Sequence, residues 1–142
     1  MAKRKTSQSE HDKVVNASAS TYPDLEKKGY KISVNPNGEK NLGLGPDNNK
    51  QYPDVIVGKP ESPGSGSGTA EIIEEIETEE SVSDDEAEQW KDYADLGIKT
   101  FRLIVPKSKA SDAKKIVEKN KIAVNEIWYY TLANGSVNFT KY

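Results

Sequence analysis

The densest chemistry in the chain lies in EIIEEIETEE, residues 71–80, where six glutamates share a segment with three isoleucines. Isoleucine draws such a segment toward the interior, and a buried carboxylate is costly unless something compensates it. A second acid, Asp54, opens the apolar run YPDVIV behind Pro53. With no cysteine and one histidine, His11, the chain can build neither a thiolate zinc centre nor a His-rich one. Oxygen ligands, which suit Mg²⁺ or Mn²⁺, are the metal chemistry that this reading leaves open. Whether 71–80 is a solvated acidic helix or part of a metal site depends on its secondary structure.

Propensity alone makes 71–80 a helix, because glutamate is a good helix former and Ile72, Ile73 and Ile76 can share one helical side. Three features favour a strand. The segment follows the apparent strand YPDVIV across a hairpin-like loop, the next helix has its own start signal at Ser83, and the isoleucines and Thr78 are β-branched. A period of two then places Glu71, Ile73, Glu75, Glu77 and Glu79 on one face, with Ile72, Glu74, Ile76 and Thr78 on the other. Glu75 and Glu77 come about 6.6 Å apart, where bare charges repel by about 2.5 kcal/mol at an effective dielectric of 20. A divalent cation reverses that sign, so the strand predicts a cation near Glu75 and Glu77, with Asp54 as a third oxygen donor.

The elements that must position these acids can be read along the chain. Residues 1–8 have the composition of a frayed basic arm, and a single domain is expected over 9–142. From Glu10, the residues His11, Val14, Val15 and Ser18 fall at helical spacing; Tyr22-Pro23 interrupts the helix, and Gly29 provides a stop. YKISVN and YPDVIV read as strands, and the Gly/Ser/Pro-rich stretch at about 58–69 as a flexible connection rather than a phosphate cradle. Ser83 and Glu86 form a capping-box pattern ahead of a helix carrying Ala87, Trp90 and Ala94 on one face, stopped by Gly97. FRLIVP is a buried strand, Ser111 caps DAKKIVEKN, and Asn134-Gly135 makes a hairpin between WYYTL and SVNFT. This order predicts an α/β (α+β) fold: a mixed central sheet flanked by helices and closed by a C-terminal hairpin.

A net charge of −3 conceals an asymmetry. Residues 71–90 hold ten acids and no base, leaving 13 acids against 20 bases elsewhere. A basic body around an acidic patch suits an enzyme that meets a polyanion through bound cations, and the alternative is a solvated acidic face on an ordinary protein. No apolar run approaches the roughly 20 residues of a membrane span, and the basic start of the chain has no hydrophobic region behind it, so a cytoplasmic protein without membrane contact is expected.

Pro53-Asp54 on one strand and Glu75-Ile76-Glu77 on the next, followed by a helix and then FRLIVP, resemble the PD-(D/E)XK nuclease superfamily, whose fold is restriction endonuclease-like. The resemblance covers roughly residues 9–130 in element order, and its motifs are short. It implies that Asp54 and Glu75 hold Mg²⁺ (or Mn²⁺) beside a scissile phosphate of DNA. Glu77 stands where the family usually has lysine, as in some restriction enzymes, and Lys91 on the following helix is a replacement cation. Gln89 and Tyr93 have the Q-x-x-x-Y spacing with which one branch of the family binds DNA near the metal, although Trp90 also suits a core position whose polar neighbours simply face water. Glu10 resembles the auxiliary metal-binding acid of some members. The resemblance further implies other nucleic acids as partners and pairing as a homodimer. Lys40, Lys50, Lys59, Lys107 and Lys109 are candidate phosphate contacts. Two other functions remain open: a nuclease-fold nucleic-acid-binding or accessory protein without catalysis, and an acidic protein-interaction domain with a helical docking surface at 71–90.

Overall fold

The computed structural model describes residues 5–35, 40, 42–58 and 70–142. Among these, four helices, α1 (Lys5–Ala19), α2 (Pro23–Lys27), α3 (Ala87–Ala94) and α4 (Ala110–Lys119), surround six strands: β1 (Lys31–Val34), β2 (Val55–Gly58), β3 (Ala70–Ile76), β4 (Thr100–Pro106), β5 (Glu126–Ala133) and β6 (Ser136–Lys141). The strands form one mixed sheet in the order β1-β2-β3-β4-β5-β6. Its central pairs β3–β4 and β4–β5 are parallel, joined by α3 and α4; the outer pairs are antiparallel. Parallel pairs need such crossovers, which cover a face and let both sides of the central strands be apolar.

The helices divide between the two faces. On one side Val14, Val15 and Tyr22 pack on Val55, Val57, Ile76 and Ile104. On the other Trp90, Tyr93, Ala113 and Ile116 pack on Ile56, Ile73, Phe101, Leu103 and Val105. Helix α1 follows its spacing, since His11, Val14, Val15 and Ser18 are all buried. Asn134 and Gly135 both have positive φ, as a two-residue type I′ hairpin requires. The decisive choice is settled as well: the acidic segment is a strand up to Ile76. A continuous helical docking surface over 71–90 is therefore not formed.

Three local expectations need correction. The helix begins at Lys5, so only residues 1–4 of the expected 1–8 arm lie outside the described residues; the expected loop lies outside them too, apart from Gly58. Ser83 makes no side-chain cap bond; its carbonyl accepts the Glu86 amide at 3.1 Å, starting a 3-10 turn at Asp84–Glu86 before α3. Likewise α4 starts at Ala110 behind a 3-10 turn at Lys107–Lys109, leaving Ser111 inside the first turn rather than at its cap. In both places the tighter i→i+3 turn occupies backbone groups that a side-chain cap would otherwise serve.

Candidate functional site

The C-terminal ends of β3 and β4 and the start of β2 meet at one edge of the sheet, and Asp54 sits there, one residue ahead of β2. One of its oxygens, Oδ2, accepts the Ile76 amide at 2.7 Å, a bond between neighbouring strands that fixes the carboxylate in place. The other, Oδ1, lies 3.1 Å from Nε2 of His11, delivered by α1. The Glu75 carboxyl, also buried, interacts with Asp54 and favours its charged form. Burial pushes the Asp54 pKa up, but His11, Glu75 and the Ile76 amide outweigh it and hold Asp54 below the ordinary carboxylate range. Two carboxyl groups in hydrogen-bond contact require a proton or a cation between them.

Glu77 is directed elsewhere. Its Oε1 accepts Ser81 Oγ and its Oε2 accepts the Trp90 indole N–H, each at 2.7 Å, in full burial. These bonds tie the end of β3 to α3, and Glu77 meets its interior cost through neutral donors. Helix α3 places Tyr93 within electrostatic reach of Glu75, Asp54 and Glu77; burial first, then those three charges, push its hydroxyl pKa far up, so it remains a donor. Gln89 Nε2 donates to Tyr93 Oη at 3.0 Å, so the Q-x-x-x-Y pair is in contact, and Tyr93 Oη lies 3.4 Å from the Tyr52 carbonyl. Lys91 is exposed on the same helix.

Glu10 goes to Tyr130, whose hydroxyl stands 3.0 Å from Glu10 Oε2 and 3.0 Å from the Glu77 carbonyl. Successive helical residues point about 100° apart. It is His11, the next residue, that meets Asp54. Spacing alone assigned His11 only to the buried face of α1; that spacing carried the signal, since His11 is the polar ring in a row with Val14, Val15 and Ser18. Of the candidate phosphate contacts, Lys40 stands 5.3 Å over the Tyr52 ring, beside Tyr93 in turn, and Lys59 lies outside the described residues.

The opposite face treats its acid differently. Glu74 accepts Ser18 Oγ at 2.5 Å and the Tyr22 hydroxyl, with Arg102 Nη1 at 3.7 Å. Glu74, Arg102 and Glu126 are direct partners across β3, β4 and β5, and Arg102 Nε donates to Glu126 Oε1 at 2.6 Å. Tyr22 and Trp128 flank the guanidinium at 5.8 and 5.9 Å, beside a cavity of about 280 Å³. Burial raises the Glu74 pKa despite these donors.

Among the described residues no group of three or more His, Asp or Glu side chains stands where it could hold a metal ion. What the structure brings together is pairwise, His11 with Asp54 and Asp54 with Glu75. The His11–Asp54 separation of 3.1 Å is that of a close histidine–carboxylate pair. Compared with protein-family models, curated proteins and solved structures, the chain matches none. Among the described residues no helix is long and apolar enough to cross a membrane.

Proposed function

We propose that this chain is a metal-dependent phosphodiesterase acting on DNA, a PD-(D/E)XK nuclease with a restriction endonuclease-like fold. One observation carries the reading: the buried carboxyls of Asp54, just ahead of β2, and Glu75, on the neighbouring β3, interact while His11 faces Asp54 from α1. Asp54 and Glu75 would hold Mg²⁺ or Mn²⁺ through their oxygens. The chemistry supplied by such an ion, when bound, is polarisation of a phosphoryl oxygen and a lowered pKa for its water.

The chain's own residues do the rest. The Ile76 amide fixes Asp54 so that Oδ1 faces His11. Glu77, with both oxygens bonded, is a positioning residue that anchors α3 and does not orient water. That leaves Lys91, exposed on α3, to offset charge on the phosphate, and the Gln89–Tyr93 pair to present polar groups beside the acids. Glu10 acts through Tyr130 on the end of β3, not as a metal ligand.

Incubating labelled duplex and single-stranded DNA with Mg²⁺ or Mn²⁺ tests this. Cleavage is expected in the native chain and absent in Asp54→Ala; cleavage that survives Asp54→Ala overturns the assignment. A second reading, the nuclease fold as a DNA-binding accessory without catalysis, is favoured by one observation: the residue in the lysine position is locked to Ser81 and Trp90 and supplies no positive charge. DNA binding without cleavage under any divalent ion would select it.

A further inference from the structure

Beyond the acidic edge, four side chains form a second feature on the α4 side of the sheet. Tyr129 of β5 and Tyr142 meet edge to face, with centroids 6.4 Å apart and planes at 77°. The Lys107 ammonium stands 5.9 Å over the Tyr129 ring, and that of Lys114 5.7 Å over the Tyr142 ring. Tyr142 is 52% exposed, and its amide donates to the Ile127 carbonyl at 2.9 Å, which ties its backbone to β5. Nearby lysines are matched with acids: Lys109 lies 3.8 Å from Asp112 and Lys141 3.5 Å from Glu126. Lys107 and Lys114 lie over ring faces instead, and among the described residues neither has a carboxylate within 4 Å.

We propose that Tyr129, Tyr142, Lys107 and Lys114 form a platform for single-stranded DNA leading away from the acidic edge; for its substrate this rests on the nuclease reading above. Lysines beside aromatic rings match a ligand with anionic phosphates and exposed base faces. A duplex buries its base faces in its own stack, so stacking on the tyrosines selects an unpaired strand. Placement agrees. Glu75 pairs with Leu103, and Leu103 with Ile127, so Tyr129 lies two strands across and two residues along. That is about 12 Å between Cα positions, or roughly four stacked nucleotides at about 3.4 Å each. The route passes the 3-10 turn ahead of α4, where Ser108 Oγ donates to Glu79 Oε1 at 2.6 Å, and Lys107 stands in that turn.

The test is fluorescence anisotropy with a labelled oligothymidine and a blunt duplex of equal length, in chelator so that binding is read without cleavage. Tyr142→Ala should weaken oligothymidine binding by about 5- to 100-fold, and Tyr142→Phe, which keeps the ring, by less than about twofold. Replacing Lys107 and Lys114 together with alanine should reduce the slope of log affinity against log salt by about 1.4. Duplex affinity should change little in either case. Unchanged oligothymidine binding in Tyr142→Ala, equal losses for duplex and single strand, or no oligothymidine binding by the native chain would each overturn the platform. Because Tyr142 is half exposed, its replacement spares the core, and thermal melting checks that. A divalent-ion titration separates the two proposals: a chain that binds oligothymidine through these residues but takes up no ion retains the platform and loses the nuclease reading, and the reverse result does the opposite.

Discussion

Glu74 and Glu75 are adjacent, identical in side chain and both buried, yet β3 turns them to opposite faces of the sheet, where they meet different surroundings. Glu74 is closed off by Ser18, Tyr22 and Arg102, all supplied by the chain. Glu75 meets another acid, Asp54, with His11 beside it. A fold that can assemble two hydroxyls and a guanidinium around one glutamate has the means to neutralise the next one. Around the next one it sets Asp54 and His11, and the cation that we propose for this site would come from outside. Glu77 supplies a third case, an acid held by neutral donors and used to lock a helix.

Breaking each side separately should give different signatures. The largest effect is expected from Asp54→Ala, which should lower divalent-ion affinity and DNA cleavage by more than about 100-fold, beyond what removal of an outer-shell partner costs, with DNA binding largely kept and stability also lowered, because the Ile76 amide and His11 lose a buried partner. Arg102→Met should instead leave ion affinity unchanged while lowering stability by about 2 kcal/mol in urea unfolding, since it strips a charged partner from the buried Glu74 and from Glu126. Its pH dependence has a definite sign. A carboxyl whose folded pKa is raised, as for Glu74, favours folding when protonated, so its contribution is lost as pH rises through that value. Without Arg102 the pKa rises further, and the deficit of Arg102→Met should be larger at pH 8 than at pH 5.

Asp54 has the opposite sign. Its folded pKa is lowered, so its contribution is present above the ordinary carboxylate range and lost only as pH falls through the depressed value. Asp54→Asn should therefore flatten the acid limb of the stability profile, measured by urea unfolding between about pH 2 and pH 4. The smallest effect sharpens the contrast most: Glu75→Gln in metal-free protein should be stabilising by about 1 kcal/mol, because an amide N–H replaces the forced contact between two acids. Equivalent change at Glu74 offers no such relief, its partners being donors already.

Much of this arrangement was legible in the sequence, for reasons that particular residues make plain. β-branched Ile72, Ile73 and Ile76 between turn signals identified β3 against glutamate's helical preference. Asn134-Gly135 specified its hairpin because few other pairs accept positive φ twice. The misses are of two kinds. Ser83 and Ser111 carried the chemistry of caps, but a cap is fixed by how the chain approaches the helix, and ahead of both α3 and α4 the backbone tightens into a 3-10 turn. The partners of Glu77, Glu74 and Asp54 were illegible because Trp90, Arg102 and His11 lie 13, 28 and 43 positions away, brought near by sheet register and helix packing that no local periodicity encodes.

Calorimetric titration of the metal-free chain with Mn²⁺, run in parallel on Glu75→Gln and Arg102→Met, puts the contrast between neighbouring glutamates to trial. Saturable uptake by the native chain, retained in Arg102→Met and lost in Glu75→Gln, is the expected result. No uptake by the native chain, or uptake that Glu75→Gln preserves, would show that the Asp54–Glu75 contact holds only a proton and that the edge of the sheet is not a metal site.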